Sequence, residues 1–331
     1  MKRIYVNSFV ITIHLLLSSQ LIFANTILVT GGTGYIGSHV AVELLKSGHE
    51  VVIDDDLRNS KVDVIERIEK TANKKIKQFY KINLTKNYAD VDKIFKEQHI
   101  FAVIHLAGLK SVKESTEHPL TYYRENLVSS MNLLDAMISN KCMNIVFSSS
   151  ATVYGNPVRI PIDEKHPVGP INPYGRTKLI VEQMFEDQSK SRQDFHAIAL
   201  RYFNPIGAHP AGHLGERPLG TPNNLMPYIL DVIIGKQKIL NVFTGYETKD
   251  GSGVRDYLHV VDLAKGHIAA LKKIERDPVH FKSYNLGTGT GYSTKEIVAA
   301  VDKFRGIKLP VEIKGRRPGD ADTVVADPTL C

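Results

Sequence analysis

Short apolar runs alternate with amphipathic stretches along the chain from Thr26 onward. The apolar runs have strand length and predict buried strands at Ile27–Thr30, Glu50–Ile53, Ile76–Tyr80, Phe101–Leu106, Asn144–Ser148 and His196–Arg201. The stretches between them carry apolar residues at helical spacing and predict helices at Tyr35–Ser47, Lys61–Lys70, Tyr88–Glu97, Pro119–Ser139 and Pro173–Lys190. Such regular alternation implies parallel strands joined by right-handed crossovers. The pattern therefore predicts an α/β fold built on a doubly wound parallel sheet.

The alternation loosens after Arg201, where prolines and glycines become frequent. This loop-rich stretch predicts the start of a second, smaller α/β lobe. Helical spacing returns at Leu225–Ile234, Val261–Ile274 and Thr294–Phe304. We therefore expect a hydrophobic N-terminal extension over residues 1–25, a first domain over residues 26–203 and a smaller lobe over residues 204–331.

The composition is that of an ordinary globular protein and argues against several classes. Hydrophobic residues make up 43% of the 331 residues and charged residues 23%, which argues against disorder. The net charge is +7, but the Lys and Arg residues are interspersed with acids and form no basic stripe for nucleic acid. Cys142 and Cys331 lie far apart, and none of the 13 histidines has metal-ligand spacing, so we expect reduced thiols and no metal.

A glycine-rich turn follows the first predicted strand, in the sequence TGGTGYIG (Thr30 to Gly37). Gly31, Gly34 and Gly37 lack side chains, which permits a tight turn, close approach of a pyrophosphate and packing of the next helix on the strand. The N-terminus of that helix then faces the phosphates. The flanking strand and helix favour a Rossmann-like dinucleotide site over a glycine-rich connection without a ligand.

Three acidic residues, Asp54, Asp55 and Asp56, close the second predicted strand. A carboxylate about 20 residues beyond the glycine turn can bind ribose hydroxyls and repel a 2'-phosphate. One of the three is enough for this role, and the others can cap the following turn. We include Asp55 in the predicted site and expect NAD rather than NADP as the cofactor.

Tyr174 and Lys178 lie four residues apart in YGRTK and share one face if the segment is helical. An ammonium held near a phenol favours the phenolate, so we expect Lys178 to lower the pKa of Tyr174 toward a value useful to a base. Taken alone the pair is weak evidence, because tyrosine and lysine at this spacing usually form a solvated helix face. The dinucleotide turn upstream strengthens the catalytic interpretation.

Longer segments extend the set of motifs: LAGLKSV (Leu106 to Val112), SSSATVYG (Ser148 to Gly155), NPYGRTK, LRYFNPIGAHP, NNLMPY and GVRDYLHVVDLA. Together with the glycine turn they resemble the extended short-chain dehydrogenase/reductase family, of the NAD-dependent epimerase/dehydratase type, from about Thr26 to the end. Within that family the sequence is most similar to the 4-epimerases of UDP-sugars. The resemblance implies reversible epimerisation of UDP-galactose and UDP-glucose at the sugar 4-position, through a transient 4-keto sugar and tightly bound NAD.

The resemblance also implies individual roles. The catalytic residues are Tyr174 as the base, Lys178, and Ser150, the third serine of SSSATVYG, for which a strand-capping serine is the alternative. The implied cofactor-binding positions are Gly31, Gly34, Tyr35, Ile36, Gly37, Asp55, Asn59, Ser60, Asn83, Leu84, Leu106, Ala107, Gly108, Lys110, Asn126, Tyr174, Lys178 and Tyr202. The implied substrate-binding positions are Ser150, Tyr174, Asn204, Asn224, Leu225, Arg255, Arg317, Asp320 and Val324. Isolated arginines are usually exposed, so an ordinary surface position is the alternative for Arg255 and Arg317.

Three features depart from the pattern of the family. Asn83 in KINLTK replaces an aspartate that the family often uses against the adenine amino group, which weakens cofactor binding without abolishing it. Val324 stands where the family has a bulky tyrosine or a smaller residue, and its size leaves room for an N-acetyl group, so UDP-N-acetylhexosamines are expected as further substrates. The chain stops at Cys331, where the family normally continues through a helical stretch, so we expect a truncated smaller lobe.

Two other functions compete with epimerisation. The first is a nucleotide-sugar 4,6-dehydratase or decarboxylase, which usually places an acid after the catalytic serine or threonine. The corresponding stretch here is Ala151-Thr152-Val153, without an acid. The second is a catalytically silent nucleotide-binding module, against which Ser150, Tyr174 and Lys178 argue.

The first 25 residues have a different character. Lys2 and Arg3 precede an interrupted apolar run, Phe9–Phe23, that resembles a signal peptide but is short for a membrane span. Export would separate the enzyme from its dinucleotide and its UDP-sugar, so we expect a cytoplasmic protein, with export or tethering through this segment as the alternative. The resemblance implies a homodimer that pairs through Pro119–Ser139 and Pro173–Lys190. We expect no nucleic-acid partner and no stable membrane association beyond the N-terminal segment.

Overall fold

A computed structural model describes residues 24–220, 222, 224–317 and 319–331. The signal-like run Phe9–Phe23 lies outside the described residues. None of the helices in the described ranges has the length and apolar character that a membrane span requires.

Strands and helices alternate through the first half of the described chain. The strands are β1 (Thr26–Thr30), β2 (Glu50–Asp54), β3 (Gln78–Tyr80), β4 (Ala102–His105), β5 (Asn144–Ser150), β6 (His196–Tyr202), β7 (Asn204–Ile206), β8 (Leu240–Phe243), β9 (Val254–His259), β10 (Phe281–Leu286), β11 (Gly291–Ser293), β12 (Val311–Lys314) and β13 (Thr323–Val324). The helices are α1 (Tyr35–Lys46), α2 (Asp63–Ala72), α3 (Tyr88–Gln98), α4 (Val112–Glu117), α5 (Pro119–Tyr123), α6 (Ser129–Ser139), α7 (Pro173–Ser191), α8 (Leu225–Ile233), α9 (Val260–Arg276) and α10 (Thr294–Arg305).

All six predicted strands are confirmed, with ends displaced by one or two residues in some of them. The predicted helices are confirmed as well, with one difference. The helix expected over Pro119–Ser139 is divided into α5 and α6 by a π-helical turn, Arg124–Val128. A 3-10 turn, Ala151–Tyr154, follows β5 and was not expected.

Seven parallel strands form the large sheet in the order β10-β6-β5-β4-β1-β2-β3. The doubly wound α/β fold is therefore confirmed. The strand order reverses between β1 and β4, which places a crevice outside their carboxyl ends, where ligands bind in this class of fold. The chain leaves the sheet after β6 and returns to it through α9 and β10. The domain boundary expected after residue 203 stays a prediction, and the return of β10 adds a late segment to the first sheet.

Both faces of the large sheet are covered by helices. Ile27 and Val29 of β1 pack into one buried layer with α1 and α9, whereas Leu28 packs into the opposite layer with α3, α6 and α7. Burial on both faces explains why the strands are continuous apolar runs without alternation. The helices are thereby fixed against the sheet, and the segments at its carboxyl edge are placed by a rigid core.

The smaller lobe is organised around β9, which pairs with β7, β11 and β13. Asp256 of β9 is fully buried and accepts hydrogen bonds from the backbone N–H groups of Thr288 at 2.8 Å, Gly289 at 2.9 Å and Ala326 at 3.2 Å. This carboxylate ties β9 to the loop after β10 and to the residues after β13. The C-terminal residues are thus held beside the large sheet.

Candidate active site

The glycine turn between β1 and α1 can be built only from glycine at two positions. Gly31 has a φ of +68°, and a Cβ atom there would lie 2.9 Å from the backbone nitrogen of Ala107. A Cβ atom on Gly37 would lie 2.2 Å from the carbonyl oxygen of Gly31. Gly34 is the N-cap of α1 and offers no side chain to the first N–H groups of the helix. The turn therefore leaves a helix N-terminus open to an anion.

Of the three acids at the end of β2, Asp55 is the one whose side chain is bonded to the glycine turn. Its Oδ2 accepts a hydrogen bond from the backbone N–H of Thr33 at 3.1 Å, and its Oδ1 accepts one from the N–H of Leu57 at 2.9 Å. Asp54 is buried, and burial together with the nearby Asp55 and Asp56 raises the pKa of Asp54 well above its ordinary value. The geometry favours Asp55 as the ribose-binding residue among the three.

The substitution at Asn83 is accompanied by a neighbouring carboxylate. The Nδ2 of Asn83 donates to the Oδ2 of Asp56 at 3.1 Å, and its Oδ1 accepts from the backbone N–H of Thr85 at 2.9 Å. Asp56 is also paired with Arg58 at 2.7 Å. The carboxylate of Asp56 therefore lies one hydrogen bond away from Asn83, the position at which the family often has an aspartate.

The predicted cofactor residues follow the carboxyl ends of neighbouring strands. These residues are Gly31, Gly34, Tyr35, Ile36 and Gly37 after β1; Asp55, Asn59 and Ser60 after β2; Asn83 and Leu84 after β3; and Leu106, Ala107, Gly108 and Lys110 after β4. Adjacent parallel strands end at the same edge of a sheet, so the structure brings these residues together along the crevice.

Two of the predicted cofactor residues have side chains that are already occupied. The Oδ1 of Asn126 accepts a hydrogen bond from the backbone N–H of Leu109 at 2.8 Å. Its Nδ2 donates to the carbonyl oxygen of Leu109 at 3.1 Å and to the Oγ1 of Thr177 at 2.9 Å. Tyr202 is buried, and its hydroxyl forms a short hydrogen bond with His267. Asn126 therefore connects the loop after β4 to α7. Tyr202 forms part of the pocket wall.

A segment of the smaller lobe crosses the crevice. The Oε1 of Glu216 accepts hydrogen bonds from the Nζ of Lys110 at 3.0 Å and from the Nδ2 of Asn224 at 2.6 Å. Further contacts with this segment come from Tyr35, whose hydroxyl donates to Gly207, and from Asn59, whose side chain accepts from Leu219. Predicted cofactor residues and a predicted substrate residue thus meet at one segment.

The predicted catalytic pair lies in the first turns of α7. Asn172 caps the helix by accepting a hydrogen bond from the N–H of Gly175 at 2.8 Å. Tyr174 and Lys178 then lie on one helix face, and the Nζ of Lys178 is 5.9 Å from the ring centre of Tyr174. The ammonium donates to the carbonyl oxygen of Ser148 at 2.6 Å and lies 4.8 Å from the ring centre of Phe147. Lys178 is thereby held between the phenol and the end of β5.

Gly175 permits α7 to approach the turn after β5. A Cβ atom on Gly175 would lie 2.8 Å from the carbonyl oxygen of Thr152. Ser150, the last residue of β5, accepts the N–H of Thr152 at 3.2 Å and lies beside Tyr174, whose pKa it lowers. The strand-capping interpretation of this serine is confirmed, and its catalytic role stays a prediction.

Burial opposes the ionisation that the sequence analysis expected. Burial raises the pKa of Tyr174 to about 12, and the hydrogen bond from Ser150 offsets only part of that rise. Burial also lowers the pKa of Lys178 to about 8, against the attraction of Glu182. The expectation that Lys178 lowers the pKa of Tyr174 below its ordinary value is wrong for the protein by itself, because desolvation is the larger effect. A further positive charge beside the phenol would favour its ionisation.

The predicted substrate residues of the smaller lobe lie together around β9. The Nη2 of Arg255 is 3.4 Å from the Oδ1 of Asp320, and the Arg255 side chain is only 15% exposed. Val324 of β13 pairs in register with Arg255. Arg317 is exposed, with its guanidinium carbon 4.4 Å from the ring centre of Phe243. The surface alternative therefore does not apply to Arg255, whereas Arg317 is at the surface.

The other predicted substrate residues border the two lobes. Asn204 lies in β7, which pairs with β9, and Leu225 is the first residue of α8. In the described part of the chain, no group of three or more His, Cys, Asp and Glu side chains could hold a metal ion.

Three buried polar residues behind the site were not singled out from the sequence: His105, Glu182 and Arg201. His105 ends β4, bonds Thr30 at 2.8 Å and Ser130 at 2.9 Å, and has its pKa lowered to about 3 by burial and by Lys178. The sequence feature that could have indicated His105 is its place as a histidine at the end of an apolar run. The feature that could have indicated Glu182 is its spacing of four residues from Lys178 on the same helix.

The chain is similar to known proteins of one family over most of its length. The model of the NAD dependent epimerase/dehydratase family matches residues 27–287. UDP-glucose 4-epimerase 2 of Arabidopsis thaliana is 51% identical over 306 residues, which cover 92% of this chain and 87% of the relative. UDP-glucose 4-epimerase of Bacillus subtilis is 52% identical over 303 residues, covering 91% and 88%. The crystal structure of UDP-glucose 4-epimerase from Bifidobacterium longum in complex with NAD+ and UDP has a TM-score of 0.89 at 45% identity, covering 92% of this chain and 90% of that one.

The contact between α7 and the turn after β5 predicts the effect of one substitution. Gly175→Ala should lower the free energy of unfolding by about 1–3 kcal/mol, because the new methyl group must push α7 away from Thr152. The same change in an unobstructed helix stabilises by about 1 kcal/mol. Urea denaturation measures the difference, with Gly169→Ala as the control, since a Cβ atom there meets nothing within 4 Å. Higher stability in Gly175→Ala would contradict the close approach.

Proposed function

The chain belongs to the NAD dependent epimerase/dehydratase family, and on that premise we propose that it catalyses the UDP-glucose 4-epimerase reaction, the interconversion of UDP-galactose and UDP-glucose. The observation that carries the proposal is the meeting of Ser150, Tyr174 and Lys178 beside the crevice of the glycine turn. Relatives with this activity share about half of the residues over most of the chain.

The residues along the crevice fit NAD. The open N-terminus of α1 would hold the pyrophosphate, and Gly31 and Gly37 permit the tight turn that leads into it. Asp55 would bind the ribose hydroxyls and repel a 2'-phosphate. Asn83 and Asp56 would face the adenine, with Asp56 supplying the carboxylate that Asn83 lacks.

The reaction follows from what each side chain does to the sugar 4-hydroxyl. Tyr174, as a phenolate, takes the proton from that hydroxyl, while Ser150 hydrogen-bonds the same oxygen and Lys178 stabilises the phenolate. Bound NAD would supply a reversible acceptor for the hydride of carbon 4 and a positive charge near the phenol. The 4-keto sugar turns over in the pocket, and Tyr174 returns the proton to its oxygen. The configuration changes without net oxidation.

The smaller lobe would hold the UDP moiety. Arg255 and Arg317 would contact the diphosphate, because a planar guanidinium makes paired, charge-assisted hydrogen bonds to phosphate. Asp320, which already orients Arg255, would contact the ribose. Asn204, Asn224 and Leu225 would meet the diphosphate and the uracil edge. Firm binding at the nucleotide leaves the sugar free to rotate.

Two properties of the enzyme in the cell complete the proposal. A homodimer would form through the helices of Pro119–Ser139 and Pro173–Lys190, where Leu120 is 75% and Met131 43% exposed. Sedimentation of a single-chain mass at micromolar concentration would refute the dimer.

A cytoplasmic location would give the enzyme access to NAD and UDP-sugars, and recovery of the activity only outside the cytoplasm would refute it.

Conversion of UDP-galactose tests the proposed function. Purified enzyme loaded with NAD should produce UDP-glucose, detected by chromatography, and should reach the same mixture from either sugar. A product that has lost the 6-hydroxyl would establish a dehydratase, and loss of carbon dioxide from a UDP-hexuronic acid would establish a decarboxylase. Unchanged sugar despite bound NAD would establish a silent nucleotide-binding module.

Val324 is the residue that we propose to govern the size of the sugar. Its side chain packs against the buried cluster that contains Ala151 and Phe203, the neighbours of Ser150 and Asn204. A valine in this place leaves room for an N-acetyl group at the sugar, so UDP-N-acetylglucosamine is a further substrate in this proposal.

Enlarging Val324 should remove the N-acetylated substrate selectively. Val324→Tyr is expected to lower kcat/KM for UDP-N-acetylglucosamine by about tenfold or more, equivalent to about 1.4 kcal/mol, because the ring occupies the space of the acetyl group. The value for UDP-glucose should change much less. Val324→Ala is the matched control and should retain both activities. Turnover of UDP-glucose alone by the unsubstituted enzyme would eliminate the hypothesis.

A further inference from the structure

Glu182 is a buried acid on α7, one turn beyond Lys178, and has no assigned role in the reaction. It is 2% exposed. Its Oε1 accepts hydrogen bonds from the Nε of Arg201 at 3.1 Å and, over a short distance, from the Oγ of Ser149. Its Oε2 accepts from the Nη2 of Arg201 at 2.7 Å. Every charged atom of this carboxylate is paired.

Arg201 of β6 continues the network toward the turn after β5. Its Nη1 donates to the hydroxyl of Tyr154 at 3.0 Å, and that hydroxyl donates to the Oδ1 of Asn285 at 2.6 Å. Burial by itself lowers the pKa of Arg201, but hydrogen bonding and attraction from Glu182 outweigh it and raise that pKa. The pair therefore remains charged, and it joins α7, β5, β6 and the 3-10 turn at one point.

The placement of Ser149 connects this network to the catalytic residues. Ser149 lies between two residues of β5 that contact the catalytic pair. The carbonyl oxygen of Ser148 accepts a hydrogen bond from the Lys178 ammonium, and Ser150 lies beside Tyr174. The hydrogen bond from Ser149 to Glu182 therefore fixes β5 at the residue between these two contacts. Glu182, Lys178 and Tyr174 follow one another at four-residue spacing on the same helix.

Glu182 also faces Lys178 as a negative charge. Attraction by Glu182 raises the pKa of Lys178, against the larger lowering by burial. Two other titratable groups lie near Lys178, Tyr174 on α7 and His105 on β4. Tyr202 of β6 lies beside Ser148, and His267 of α9 bonds Tyr202. Glu182 is the acid among the groups that face Lys178.

We propose that Glu182, paired with Arg201, is a positioning residue for the reaction, which holds Tyr174 and Lys178 in register with the serines of β5 and balances the Lys178 ammonium. The proposal rests on the proposed function. Two effects follow, one on the alignment of the catalytic groups and one on the pH dependence of turnover.

The double variant Glu182→Gln/Arg201→Met removes the buried ion pair without leaving either charge unpaired. Glu182→Gln alone would leave a buried guanidinium without its partner, so its loss of stability would obscure the result. The double variant removes both charges and conserves side-chain volume, and its melting temperature should stay close to that of the unsubstituted enzyme. The measurement is kcat against pH, with NAD-loaded enzyme and saturating UDP-galactose.

The alkaline limb of the profile should move to lower pH by about 1 unit in the double variant. Glu182 is the member of this pair that acts on the pKa of Lys178. Its loss favours the neutral amine, so Lys178 gives up its proton at lower pH and no longer stabilises the phenolate. Because Tyr174 and Lys178 titrate as a coupled pair, the limb belongs to the pair. Glu186→Gln is the matched control, since Glu186 lies one turn further on α7 in an exposed pair with Lys190 at 2.9 Å, and its profile should not move.

Ser149→Ala tests the alignment separately and is expected to leave folding intact. It removes only the bond from β5 to Glu182, so kcat should fall roughly tenfold with KM for UDP-galactose and the alkaline limb unchanged. A folded double variant with an unmoved limb would overturn the electrostatic role, and unchanged kcat in Ser149→Ala would overturn the alignment role. Failure of the unsubstituted enzyme to convert UDP-galactose would instead defeat the proposed function.

Discussion

The close approach of α7 to the end of β5 is the constraint on which the site depends. Tyr174 and Lys178 belong to the helix, whereas Ser148 and Ser150 belong to the strand, so the proposed catalytic contacts exist only where the two elements meet. Gly175 leaves the space for that meeting, and the buried Glu182–Arg201 pair holds it from behind. The large sheet supplies the rigid base, because its core packs on both faces.

Burial gives this arrangement its chemical character. In the protein alone, desolvation favours the neutral phenol of Tyr174 and the neutral amine of Lys178. A positive charge that enters the same pocket favours the phenolate, which in the proposed reaction couples proton transfer to the presence of an oxidised cofactor. Coupling of this kind suits a reaction in which the proton and the hydrogen of carbon 4 must leave the sugar together.

Local patterns in the sequence were sufficient for much of the fold. The strands, the helices and the glycine turn depend on nearest neighbours along the chain, and the motifs around Ser150 and Tyr174 are continuous. Other features depend on burial and on residues that are distant in sequence. The return of β10 to β6 joins segments about 80 residues apart. Only the folded chain separates Asp55, which is held on the turn, from the buried Asp54.

In the proposed reaction Tyr174 is the base, and its hydroxyl is not needed to hold the cofactor. Replacement by phenylalanine in the NAD-loaded enzyme tests this role, by measuring both the NAD content after denaturation and the turnover of UDP-galactose. We expect an unchanged NAD content and a turnover lower by roughly 100-fold or more, because the proton-transfer group is gone. Turnover close to that of the unsubstituted enzyme would contradict it.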